Sequence, residues 1–169
     1  MTFQLPNVPF TDLSAYSVIR DYRSTNIPQV PFASITDYLE HNGFRYFAYI
    51  ISQSNIGKRY IDTELGYTLC IPKDEFLSPF EKKMIENADT YVATEILQYS
   101  TLPACIDKKD LPYYYGYGLP TSLRNQSIFL TSKDGFYNLG NAIVVGIQEK
   151  YLNKNIIVVD RLLIPPHVL

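Results

Sequence analysis

The chain has 169 residues, 46% of them hydrophobic and 14% aromatic, with a net charge of −2 at neutral pH. That length holds one ordinary domain with a sizeable core rather than two, and apolar residues spread along the whole chain argue against disorder. The near-neutral balance gives no basic footprint for nucleic acid and no polybasic membrane anchor, and no apolar window reaches the roughly eighteen residues of a membrane-spanning helix. The opening Met1-Thr2-Phe3-Gln4-Leu5-Pro6 has neither a charged n-region nor an apolar h-region. It reads as synthesis in the cytoplasm with incorporation into a particle, an extracellular setting being the alternative. Cys70 and Cys105 are too few for a disulfide framework and read as reduced, small apolar fillers.

In chain order, Pro6, Pro9, Pro28 and Pro31 mark residues 1–30 as an extended N-terminal arm with one short helix around 12–21. The arm either straps its own domain or docks on a neighbour, and a single domain is expected over 31–169. Ser34 is a helix N-cap with Asp37 three residues on, and Ile35, Tyr38 and Leu39 share one face. His41-Asn42-Gly43 interrupts that pattern. Phe44, Phe47, Ala48 and Ile51, at i, i+3, i+4 and i+7, predict a second helix that stops near Gly57, with a short turn around 58–63. Residues 66–71 form a buried strand that ends sharply at Pro72. Ser78-Pro79-Phe80-Glu81 starts a helix that carries Phe80, Met84 and Ile85 inward. Asp89 caps another, with Val92, Ile96 and Leu97 as its buried stripe.

Beyond Tyr99, short β-type runs alternate with turn clusters, predicting strands over 98–102, 127–131, 135–138, 142–148 and 156–164. In the last of these, Ile156, Val158 and Leu162 stand on one face and Ile157, Val159 and Leu163 on the other. This is the pattern of an interior strand, with Asp160 as its one polar interruption. Helices first and strands later imply an α+β fold. The long segment 107–125 contains Pro112-Tyr113-Tyr114-Tyr115-Gly116-Tyr117-Gly118. Four tyrosines so close together cannot all face a core from a loop bounded by Pro112 and Pro120. Tyrosine joins a large apolar face to a hydroxyl with little rotamer entropy, so Tyr113, Tyr114, Tyr115 and Tyr117 are the candidate protein-binding residues, a lid over the core being the alternative.

Raw material for catalysis is thin. His41 and His167 have no Cys, Asp or Glu at metal-ligand spacing, and no nucleotide-binding, nucleophile-elbow or zinc motif occurs. No catalytic residue, metal or cofactor is assigned, and the reading is non-enzymatic. Asp74, just after the strand exit, is expected to cap nearby backbone as an Asx-type turn. Asp107 and Asp110, separated by Lys108 and Lys109, read as a solvated charged loop.

Three stretches carry a family resemblance. Thr68-Leu69-Cys70-Ile71-Pro72-Lys73-Asp74 resembles a strand motif running Thr-x-Phe-Ala-Pro and then Thr/Ser-Asp/Asn, with Thr68, Pro72 and Asp74 matching. Leu97-Gln98-Tyr99-Ser100 is similar to a Leu-x-Tyr-His segment, with Ser100 where histidine is usual. Asn155-Ile156-Ile157-Val158-Val159-Asp160-Arg161-Leu162-Leu163-Ile164-Pro165-Pro166 resembles a motif ending His-x-Ile-Asp-x-x-Leu-x-Pro-Pro, with Ile157 at the histidine. In this order they resemble the fasciclin-like (FAS1) domain family over residues 32–166. The resemblance implies helices packed on two small β-sheets at a large angle, with the first and last motifs as neighbouring central elements. It gives Thr68, Pro72, Asp74, Tyr99, Asp160, Leu163, Pro165 and Pro166 structural roles. A buried Asp160 needs donors, so it is expected to accept backbone hydrogen bonds. Domains of this family are typically adhesion or matrix modules that bind proteins, some of them carbohydrate. The expected partner is therefore a protein, bound through the tyrosine loop, the arm, or both. The alternative is a structural subunit of a larger assembly such as a virion.

Overall fold

The computed structural model describes residues 32–169, so the arm expected over 1–30 lies outside the described residues. The chain divides between Tyr38 and Leu39 into two units. In the first, the hydroxyl of Ser34 accepts from Asp37 N at 3.1 Å, while Ala33 N donates to the Asp37 carboxylate at 3.3 Å. These bonds open helix α1, Ile35–His41, and Phe32 meets the Tyr38 ring edge-on at 5.5 Å.

The second unit begins with helices α2 (Arg45–Gln53) and α3 (Gly57–Ile61), and α2 buries Phe47, Ala48, Ile50 and Ile51 as its periodicity requires. Strand β1, Tyr67–Pro72, leads through a 3-10 turn, Asp74–Phe76, to α4 (Pro79–Glu86) and α5 (Thr90–Tyr99). Both helices start on the expected caps: Ser78 and Glu81 form a capping box, and Asp89 accepts from Val92 N at 2.9 Å.

The inward face of α4 differs from expectation. Phe80 is 68% exposed and Met84 half-buried; Ile85 alone is fully buried. The covered stripe runs Glu81, Ile85, Ala88 because Glu81 is held inward, one oxygen accepting from Ser78 N at 2.9 Å and the other from Leu162 N at 2.8 Å. Phe80, one residue and about 100° round the helix from Glu81, is left towards solvent. In α5, Ala93 joins Ile96 and Leu97 in the core, and Val92 is half-buried.

The remaining strands are β2 (Thr101–Leu102), β3 (Gly118–Pro120), β4 (Ser127–Lys133), β5 (Phe136–Leu139), β6 (Ala142–Tyr151) and β7 (Lys154–Val159). Hydrogen bonding joins them in one order, β2-β1-β7-β6-β5-β4-β3. Two expected boundaries move. The predicted strand over 98–102 is helix at Gln98 and Tyr99 and strand only at Thr101–Leu102, because Ala93, Ile96 and Leu97 hold the helical period and carry α5 through Tyr99. Strand β7 stops at Val159, well before the two prolines, where Asp160 replaces a ladder bond with one from its side chain. Segment 107–125 is more regular than its sequence suggests, containing a 3-10 helix, Lys108–Tyr114, and β3.

The first and last motifs are neighbours, as the resemblance implied. β1 and β7 pair in parallel, with Cys70 opposite Ile157 and Pro72 opposite Val159, and every residue of both strands is buried. One face of this pair, with Cys70, Ile157 and Val159, joins Leu102, Ile106, Leu111, Ile128, Leu130, Leu139, Val144 and Leu163 in a continuous core. Strand β6 carries a bulge between Val144 and Gln148, and Gly146 lies within it at φ +94°. A left-handed φ there suits glycine, and the bulge redirects the strand.

Candidate functional site

The tyrosines lie at the end of the 3-10 helix and in the turn that follows. Tyr113, Tyr114, Tyr115 and Tyr117 are 79%, 36%, 55% and 65% exposed. No phenol hydroxyl among the four has a hydrogen-bond partner among the described residues, and Tyr113, Tyr115 and Tyr117 are more than half exposed. Phe129 adds to the surface. It stands on β4 opposite Gly118, 61% exposed, with its ring 3.4 Å from where a Cβ on Gly118 would sit. A Cβ at 118 would meet that ring in van der Waals contact.

The rings are exposed, but their base is fixed. Leu111 is fully buried in the core. Asp107 accepts from Gln148 Nε2 at 3.0 Å and Asn155 Nδ2 at 2.9 Å, and its own N–H donates to Asp110 at 3.3 Å. Lys108 N donates to the Gln148 side-chain carbonyl. Lys108 Nζ donates to Gly146 O at 2.7 Å, so the bulge of β6 is one anchor of the loop. On the far side, Gly116 N donates to Leu130 O at 2.9 Å and Leu130 N to Tyr117 O at 3.2 Å. The sequence offered part of this: Asp107 and Asp110 have capping spacing, and Gly146 interrupts a β-type run. The reading of those acids as a solvated loop is corrected for Asp107, which is tied to β6 and β7.

The motif residues work from within. Thr68 is fully buried; its hydroxyl donates to Ala104 O at 2.6 Å and accepts from Ile106 N at 2.8 Å, directing the chain from β2 towards Asp107. Asp74 caps at long range rather than locally. Its two oxygens accept from Arg45 N and Tyr46 N, each at 3.0 Å, and so cap α2, whose own N-cap residue Phe44 has no side-chain acceptor. Asp160 Oδ1 accepts from Ile143 N at 2.8 Å, its own N–H donates to Ile143 O at 3.0 Å, and Arg161 Nε lies 3.5 Å from the same oxygen. Leu163 is in the core, Pro165 is buried and Pro166 exposed.

The two positions where the resemblance places histidine flank Cys70. Ser100 O accepts from Cys70 N at 2.9 Å, and Ile157 is the register partner of Cys70. Both are buried, and the Ser100 hydroxyl has no partner among the described residues. Burial pushes the Cys70 thiol up to about 12 and raises the phenols of Tyr67 and half-buried Tyr99 above their ordinary value. Cys105 is exposed, its thiol donating to Asn153 O at 3.3 Å.

His41 ends α1, and His167 Nε2 lies 2.6 Å from Glu95 Oε1. Among the described residues no group of three or more His, Cys, Asp or Glu could hold a metal ion, and no helix is long and apolar enough to cross a membrane. A groove of about 440 Å³ runs between Phe80, Asp160, Arg161 and Leu169. Its ionisable groups are engaged: Glu81 with backbone N–H groups, and Asp160 with Ile143 N and Arg161.

Helices combined with a barrel-like β half, in which the first and last motifs are adjacent, define a FAS1-like fold. Residues 42–165 match the fasciclin domain family, and the chain belongs to that family. No curated protein matches the sequence. Among solved structures it is similar to a FAS1 domain pair from the insect cell adhesion molecule fasciclin I, at a TM-score of 0.65 and 21% identity, over 85% of this chain and 54% of that one. The chain thus spans about half the length of that relative, and the likeness is one of fold.

Proposed function

We propose that this FAS1 domain is a non-catalytic, adhesion-type interaction module that binds a protein partner through Tyr113, Tyr114, Tyr115 and Tyr117, with residues 1–30 as a second contact. The observation that carries the reading is a set of exposed aromatic rings on a loop whose base is fixed by Asp107, Lys108 and Leu111. A loop already ordered loses little conformational entropy on binding, and tyrosine provides contact area with few torsions. FAS1 domains are in general adhesion and protein-interaction modules, and the similar solved pair comes from a cell adhesion molecule. We also take the β2-β1-β7 and β5-β4-β3 parts of the sheet to lie at a large angle across the β6 bulge, since bulges bend strands.

The test uses the full chain as bait against total protein from its native source. Wild type should retain a protein that the combined Tyr113→Ser, Tyr114→Ser, Tyr115→Ser and Tyr117→Ser variant loses by about tenfold or more, with both baits equally folded by circular dichroism. Equal capture by the two baits overturns the reading. A structural role in a virion has no observation in the fold that favours it.

A further inference from the structure

A cavity of about 500 Å³ lies where α3 and the loop entering β1 meet β2 and the chain leaving β3, and it shares no residue with the tyrosine loop. The two ends of the strand order are tied together here, since Ser122 N, just past β3, donates to Thr101 O of β2 at 2.9 Å. The walls are largely apolar, built from the rings of Tyr60 and Tyr67 with Leu65 and Pro103. Several polar ends in these walls are committed elsewhere: the Tyr67 hydroxyl donates to Ile61 O at 2.6 Å, the Thr101 hydroxyl to Leu97 O at 2.8 Å, and the Tyr60 hydroxyl is buried.

The polar groups left to meet a ligand are the half-buried hydroxyls of Thr63 and Ser122 and the exposed guanidinium of Arg59. Thr63 Oγ1 accepts from Leu65 N at 3.3 Å and keeps its proton to donate. Arg59 is the one charged side chain among the described lining residues, and it has no hydrogen-bond or ion-pair partner among the described residues. Lys154 Nζ, 5.5 Å from the Tyr67 ring centroid, adds positive charge beside that ring, while the exposed acids Asp62 and Glu64 do not line the cavity.

A hydroxyl turns to donate or accept, but a guanidinium only donates and always carries its charge, so Arg59 sets the sign of the occupant. The volume falls within the roughly 300–1,000 Å³ of small-molecule sites, which are likewise apolar with a few placed polar groups. A sugar, whose many hydroxyls would each need a partner, fits such walls poorly. We propose that the cavity binds an apolar carboxylic acid of the fatty-acid type, its chain against Tyr60, Tyr67, Leu65 and Pro103 and its carboxylate paired with Arg59. Burial of the chain supplies the affinity, and Arg59 selects the head group.

The test is isothermal titration calorimetry of the full chain with decanoate and with its neutral counterpart decanol. Wild type should bind decanoate saturably at one site, at least about fivefold more tightly than decanol. Arg59→Gln, at an exposed position, should lose that preference and still bind decanol. Ser122→Phe places a ring in the cavity and should abolish binding of both, with the circular dichroism spectrum unchanged. The variant with Tyr113, Tyr114, Tyr115 and Tyr117 all changed to serine should bind decanoate as wild type does, so this site stands or falls separately from the protein-binding reading. No saturable binding, no preference for the acid, or a preference that survives Arg59→Gln overturns the proposal. Wild-type binding by folded Ser122→Phe, or loss of decanoate binding by the folded tyrosine variant, places the acid elsewhere and overturns it equally.

Discussion

The β1–β7 seam and the tyrosine loop are both built from apolar and aromatic side chains, put to opposite ends. In the seam every residue is buried, from Tyr67 to Pro72 and from Lys154 to Val159. In the loop only the root is buried, at Leu111, while Tyr113, Tyr115 and Tyr117 stand open. The family motifs thus lie in the region that faces inward, and the exposed tyrosines lie outside it. Ser100 and Ile157 sharpen the contrast. Being buried around Cys70, they replace the usual histidines in the interior, where no partner reaches. The seam carries the motifs of the family, whose match runs over residues 42–165, and the loop carries the exposed rings.

Substitutions in the two regions should separate accordingly. The largest loss is expected for Asp160→Leu, which leaves Ile143 N without its acceptor at the end of β7; urea unfolding should show about 2–3 kcal/mol of destabilisation. Asp74→Ala should cost about 1–2 kcal/mol, since two N–H groups at the start of α2 lose their cap, and Asp74→Asn should cost less because one acceptor oxygen remains. Smaller still, close to pH 9.0, is the effect of pH through Cys70. Its thiol is raised from 9.0 to about 12, so the native state keeps a proton that the unfolded chain releases. The stability it contributes is complete below pH 9.0 and falls as the pH rises towards 12. In native protein at neutral pH an alkylating reagent should label Cys105 and spare Cys70, as peptide mass spectrometry would show.

The seam was legible because its information is local and repetitive: a two-sided apolar run, a terminal proline, and a polar residue where pairing ends. The capping of α4 and α5 was equally legible from Ser78, Glu81 and Asp89. What escaped depends on chain brought together from afar. Asp74 caps a helix twenty-eight residues earlier, and Glu81 turns α4 by reaching Leu162, so neither the local-turn reading nor an inward Phe80 survives. For the loop, the sequence showed that the tyrosines could not all be buried. It did not show that Gln148, Asn155 and Gly146 fix the loop's base, or that Phe129 extends its surface, because those residues lie on other strands.

The central claim is that the tyrosines serve the surface and not the fold. Thermal unfolding of the full chain with Tyr113, Tyr114, Tyr115 and Tyr117 all changed to serine tests it directly. The expected shift is small, within about 2–4 °C of wild type, because the exposed rings make little contact with the core. A fall comparable to that of Asp160→Leu would mean that the rings form part of the core's cover, and the division between seam and loop would be wrong.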